Sequence, residues 1–160
     1  MDQTVKKSDS QKRVQDEAEA LSLDIEIRVM PQSTRTAQEA ADACECEVEQ
    51  IIKSLIFERK DNEALVLLLI AGHKQADLKT IAETVGSDLQ RADPRKVRAE
   101  TGFAIGGVAP IGHNCPMPVY MDPSLLDYDL VWAAAGSPQA VFCVQPHVLR
   151  KAINAVILPS

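Results

Sequence analysis

Apolar and polar positions change period several times along the chain, and each change marks an element. Residues 1 to about 12 are polar and aperiodic, which predicts an unanchored tail; Val14, Ala18 and Leu21 then recur at helical spacing. Ile25, Ile27 and Val29 alternate with Glu26 and Arg28, a period of two that suits a half-buried strand ended by Pro31. Thr36 and Glu39 form a capping-box pair ahead of Ala37, Ala40, Ala41 and Cys44, so a helix with a stripe of small residues follows. Two strand-like runs, Ile51 to Glu58 and Ala64 to Ala71, flank a polar turn and read as a hairpin.

Asp77 caps a further helix with Leu78, Ile81, Ala82 and Val85 on its apolar side, and Gly86 ends it. Asp93-Pro94 starts another that Gly102 ends. From Thr101 to Pro118 glycines and prolines are too dense for regular structure, while the stretch is too apolar for a linker, so an ordered loop is expected. Val119 to Met121, Asp129 to Ala135 and Ala140 to Gln145 read as strands, and Pro146 to Ile153 as a helix with Val148, Leu149 and Ala152 on one side. Strands and helices mix without a strict βαβ repeat. The expectation is therefore a mixed α/β (α+β) fold, a mixed sheet or partial barrel with peripheral helices.

Composition narrows the class. A chain of 160 residues, 46% hydrophobic, has material for one compact domain. The formal charge of -6 argues against a protein that coats nucleic acid through bulk charge, so any such contact must be local. No apolar run is long enough to cross a bilayer, and the N-terminal segment lacks a signal-peptide core, so a cytoplasmic protein is expected. Cys44, Cys46, Cys115 and Cys143 lack the paired spacing of a zinc site, so no metal or other cofactor is expected.

Three segments carry candidate chemistry. Lys53 shares a strand face with Ile51, Leu55 and Phe57 and is the charge in an otherwise apolar run. Either an anion or a set of acceptors meets it there, or its stem covers core while the ammonium reaches water. Gly106-Gly107 can aim backbone N–H groups at an oxyanion or ester carbonyl, or can simply make a tight turn. Ala133 to Pro138 has small side chains that admit a ligand close to the backbone, or pack against a neighbour. Arg91, Arg95, Lys96 and Arg98 cluster before the glycine loop, with Lys74 and Lys79 as an extension, and read either as a local phosphate rim or as a solvated face.

Together and in order, these segments resemble the family of YbaK proteins and prolyl-tRNA synthetase-associated editing domains. The resemblance is carried by Thr34-Arg35-Thr36-Ala37, Ile52-Lys53-Ser54-Leu55-Ile56-Phe57, Ala92-Asp93-Pro94, Thr101-Gly102 with Gly106-Gly107-Val108-Ala109-Pro110-Ile111-Gly112, Asp122-Pro123-Ser124-Leu125-Leu126 and Ala134-Ala135-Gly136-Ser137, over roughly Ile25 to Ile157. It implies a barrel-like sheet and a trans-acting deacylase of mischarged tRNA, above all tRNA(Pro) carrying a small amino acid such as cysteine or alanine. By the same resemblance Lys53, Gly106 and Gly107 form the catalytic group, with Gly136 as a further donor, and Val108, Pro110, Gly136, Ser137, Thr34 and Arg35 surround the aminoacyl group. The partners implied are the mischarged tRNA and, transiently, a synthetase, without DNA or membrane. Residues 1–23 stand apart as a polar tail and helix ahead of an editing domain over 24–160, and bear on partner choice. A non-catalytic module that binds the tRNA 3′ end or an adenine nucleotide through the same pocket is the alternative.

Overall fold

The computed structural model describes residues 9–104 and 106–160. In chain order it contains helix α1 (Asp9–Ala20), strand β1 (Arg28–Val29), helix α2 (Ala37–Cys44), strands β2 (Ile52–Arg59) and β3 (Leu65–Ala71) and helix α3 (Leu78–Val85). Strand β4 (Leu89–Arg91), helix α4 (Pro94–Thr101), strands β5 (Val119–Met121), β6 (Val131–Ala134) and β7 (Ala140–Val144), helix α5 (Pro146–Ala152) and strand β8 (Val156–Ile157) complete it. Five strands form one sheet in the order β4-β2-β3-β5-β8, and three form another in the order β1-β7-β6. The mixed α/β class matches the expectation. The sheets do not close into a barrel: they meet at an isolated bridge between Ile51 and Trp132.

The hairpin of β2 and β3 organises the larger sheet, because β3 is apolar throughout and buried along its whole length. A continuous apolar run of this kind suits a central strand covered on both faces. Leu67, Leu69 and Ala71 join the larger core with Phe103, Ile111, Met121, Phe142 and Leu149. Val66, Leu68 and Ile70 face a second core with Ile81, Val85, Leu89 and Tyr120. Strand β2 obeys the same alternation, with Ile52 and Ile56 against the first core and Leu55 and Phe57 against the second.

Local signals set the helix ends. Thr36 and Glu39 make the reciprocal capping box of α2, the Asp77 side chain accepts the Thr80 N–H at the start of α3, and Asp93 precedes Pro94 at the start of α4. Strand β1 is shorter than its alternation predicts. Ile25 and Ile27 pack on the core, but the ladder with β7 spans only Arg28 and Val29, and Val29 is 57% exposed.

Helix α1 begins at Asp9, inside the stretch expected to be a tail, and Val14, Ala18 and Leu23 belong to the larger core. Its apolar face is thereby covered by its own chain. The rest of the expected tail, residues 1–8, lies outside the described residues. Among the described residues no helix is long and apolar enough to cross a membrane.

Candidate functional site

The strand pairing of β2 leaves a gap in the middle of one edge. Strand β4 pairs with Phe57–Arg59 and the bridge to Trp132 engages Ile51, so among the described residues no strand is paired to that edge between them. A cleft of about 640 Å³ opens there between the two sheets. Its walls are β2 from Ile51 to Phe57, the Thr34–Ala37 start of α2, Arg91 and Ala92, Gly106 and Val108, and Trp132 to Ala134.

Lys53 and Gly106 therefore line one cleft, although they come from distant parts of the sequence. The Lys53 ammonium donates to the Lys74 carbonyl, and among the described residues no carboxylate forms an ion pair with it. Burial holds its pKa below the ordinary lysine value. The Lys74 turn is itself anchored by Asp122. That buried carboxylate accepts from the Ala71 N–H at 3.1 Å, the Ser124 N–H at 2.9 Å, the Ser124 hydroxyl at 2.8 Å and Lys74 Nζ at 3.3 Å. Burial opposes its charge, yet these donors keep its pKa below the usual aspartate value. The Asp-Pro-Ser segment thus supports the acceptor that Lys53 uses.

The two glycines of the loop have different fates. Gly106 has φ +89° and sits in a turn closed by the Gly107 N–H donating to the Ala104 carbonyl at 3.0 Å. The positive φ at that place in a turn favours glycine, and the Arg35 side chain lies directly over it, 2.9 Å from where a Cβ would be. Gly107, expected as a second donor to the ester carbonyl, has its amide committed to Ala104. Its α-carbon is pressed against the backbone of Gly136 and Ser137, where a Cβ would meet Ser137 Cα at 3.0 Å.

The other expected residues divide in the same way. Val108, Thr34, Arg35 and Arg91 line the cleft, while Pro110, Gly136 and Ser137 do not. The Thr34 hydroxyl and N–H both donate to the Pro138 carbonyl, at 2.8 and 2.7 Å, so Thr34 pins the Arg35 segment to the 136–138 turn. Of the basic cluster, Lys96 is engaged by Glu58 at 2.6 Å; Arg91, Arg95 and Arg98 are exposed. Two lining residues lacked a separate signal in the sequence. The Ser54 hydroxyl is buried in the wall without a hydrogen-bond partner among the described residues, and Trp132 contributes an aromatic flank.

The cysteines are free, and burial pushes the Cys44 thiol up to about 11 and raises Cys46 as well, which disfavours their thiolates. His113 is directed inward: its Nε2 meets the Ala109 carbonyl at 2.7 Å and its ring stands edge-on to Phe103.

Comparison with known proteins gives a consistent set of similarities. The sequence profile of the aminoacyl-tRNA editing domain matches residues 31–152. YwhH of Bacillus subtilis (strain 168) is 32% identical over 119 residues, covering 74% of this chain and 75% of that protein. EbsC of Enterococcus faecalis, named as a candidate Cys-tRNA(Pro)/Cys-tRNA(Cys) deacylase, is 26% identical over 74% of this chain and 73% of its own length. The proline--tRNA ligase of Thermosipho melanesiensis is 31% identical over 81 residues, which is half of this chain and 14% of the ligase. A crystal structure described as a candidate trans-editing enzyme for prolyl-tRNA synthetase superposes with a TM-score of 0.88 at 43% identity, covering 95% of this chain and 96% of the other.

Proposed function

Because the chain belongs to the aminoacyl-tRNA editing domain family, we propose that it is a trans-editing deacylase of mischarged tRNA, acting on tRNA(Pro) that carries a small amino acid such as alanine or cysteine. The observation that carries this reading is the convergence of Lys53 and the Gly106 turn on one open cleft. An aminoacyl ester is already activated, so hydrolysis needs a positioned water and donors for the charge that develops on the carbonyl oxygen. Water oxygen adds to the ester carbonyl, the bond to the ribose oxygen breaks, and the ribose hydroxyl leaves with a proton while the free amino acid departs.

In this scheme Lys53 supplies the positive charge that meets the phosphate of the terminal adenosine or the ester itself. The Gly106 amide takes the carbonyl, in place of the Gly106, Gly107 and Gly136 donors expected from sequence. Arg35 and Val108 border the aminoacyl group, and the unpartnered Ser54 hydroxyl is a ready contact for its polar atoms. A second sieve of this kind is needed because one methylene in a binding pocket discriminates by only about 1–3 kcal/mol.

The test is to incubate the protein with tRNA(Pro) charged with alanine, cysteine or serine and to follow loss of the ester. The expected result is accelerated deacylation of at least one of these, reduced by about a hundredfold or more in Lys53→Ala. Unchanged ester lifetimes across the panel would remove the proposal; saturable binding without turnover, lost in Lys53→Ala, would instead establish the binding-module alternative.

A further inference from the structure

Helix α1 has no residue in the cleft, yet it is bonded to both ends of the loop that forms one cleft wall. Arg13 Nη2 donates to the Gly102 carbonyl at 2.7 Å and Arg13 Nε to the Gly112 carbonyl at 3.1 Å. Glu17, one turn further on, accepts the Gly112 N–H at 3.1 Å. The N–H and the carbonyl of Gly112 are thus both held by α1, and one guanidinium closes the segment 102–112 that presents Gly106 and Val108. Beneath it lies Phe103, with the guanidinium carbon 5.1 Å from the ring centre.

The backbone contacts are close enough to require glycine. A Cβ at Gly112 would come within 2.8 Å of the Val14 nitrogen, and one at Gly136 within 2.9 Å of the Ser10 carbonyl carbon. The same helix sends Gln11 Nε2 to the Ser137 hydroxyl at 3.0 Å, and Gly107 packs on that Ser137 backbone. One helix therefore holds two separate loop segments that meet behind the cleft.

We propose that α1 is a brace for the catalytic loop, with Arg13 and Glu17 as positioning residues that fix the Gly106 turn relative to Lys53. The proposal rests on the deacylase reading of the cleft. A planar guanidinium can meet two carbonyls at fixed directions, whereas an ammonium at the same place satisfies them as a point charge without that geometry. Freed from its clamp, a loop so rich in glycine samples many backbone states, and a displacement of about 1 Å at a reacting group lowers rate by about a hundredfold. Contacts made by the rest of the tRNA are unaffected, so the loss belongs in kcat.

The experiment compares wild type, Arg13→Lys, Glu17→Ala, Glu17→Gln and Lys53→Ala on whichever charged tRNA(Pro) the wild type turns over, well below every variant's Tm, with hydrogen exchange of the same proteins. Arg13→Lys and Glu17→Ala are expected to lower kcat by ten- to about a hundredfold with KM changed by less than about threefold. Glu17→Gln keeps an oxygen that accepts the Gly112 N–H and should remain near wild type. Exchange within 102–112 should accelerate at least about tenfold in Arg13→Lys while the β2–β3 hairpin stays protected. Unchanged kcat in both Arg13→Lys and Glu17→Ala, or exchange accelerated equally in the hairpin, overturns the brace. If wild type and Lys53→Ala are equally inert toward every charged tRNA, the deacylase reading falls, and the positioning of a catalytic loop falls with it; a local loss of protection would then show a purely structural clamp.

Discussion

Lys53 and His113 are both nitrogen bases in places where burial favours the neutral form, and the protein treats them differently. The Lys53 ammonium still reaches a carbonyl acceptor on the cleft rim, so its charge remains available to a ligand. His113 is closed in: its Nε2–H donates to the Ala109 carbonyl, and its Nδ1 is buried without a partner among the described residues. Protonation would add an N–H that meets no acceptor there. Burial is the main cause that lowers its pKa below 6.5 and the nearby Arg13 charge works in the same direction, against the Ala109 carbonyl and Glu17, which raise it. The unfolded chain therefore binds this proton more readily than the folded one. The stabilisation is fully present above about pH 6.5 and declines as pH falls below that value towards the depressed folded pKa. Thermal melts from pH 7.5 down to 5.5 should show Tm falling, and His113→Gln, which retains a donor for Ala109, should flatten the fall. Identical slopes in the two proteins would show that other groups control the acid limb.

Elements whose ends are set by their own residues were legible in the sequence. The Thr36–Glu39 box, Asp77 with Gly86, and Asp93-Pro94 with Gly102 define α2, α3 and α4 through contacts within a few residues, and the β2–β3 hairpin follows from its apolar runs. Strands β4 and β8 were not legible, because three and two residues carry no period and owe their conformation to the neighbours they pair with. The glycines show the same division at the site. That Gly106 borders the cleft follows the motif, whereas the commitment of the Gly107 amide to Ala104, and the approach of α1 to Gly112, depend on tertiary contacts that spacing does not express. Helix α1 gives the sharpest contrast, since an amphipathic N-terminal segment suits a partner as well as its own core. Deleting residues 1–20 removes buried Val14 and Ala18 and uncovers the loop they rest on. The expected loss is about 3 kcal/mol or more, roughly 10 °C in Tm, measured by thermal denaturation. A truncated protein with unaltered Tm would show that α1 is a detachable segment that the core does not need.

At the scale of the whole molecule, the difficulty is how a chain of net charge -6 holds a polyanion. Ion pairing inside the protein reduces the cations available: Lys96 is bound to Glu58 and Lys74 to Asp122. Arg35 and Arg91 are exposed and line the cleft, while Arg95 and Arg98 are exposed on α4, just beyond β4. The proposed tRNA contact is therefore small, with most of the surface repelling the rest of the molecule. Each phosphate neutralised by a protein cation contributes about -0.7 to -0.9 to the slope of log K against log salt. The four arginines together with Lys53 thus limit the slope to about -3.5 to -4.5, shallow beside proteins that grip a duplex through many phosphates. Titration of labelled tRNA(Pro) between 50 and 300 mM salt should give a slope of that size, and Arg91→Ala should reduce it by about one. A steep slope that persists after Arg35, Arg91, Arg95 and Arg98 are all replaced by alanine would place the tRNA on a different face, and the cleft would then have to admit the 3′ end from a direction the open edge of β2 does not provide.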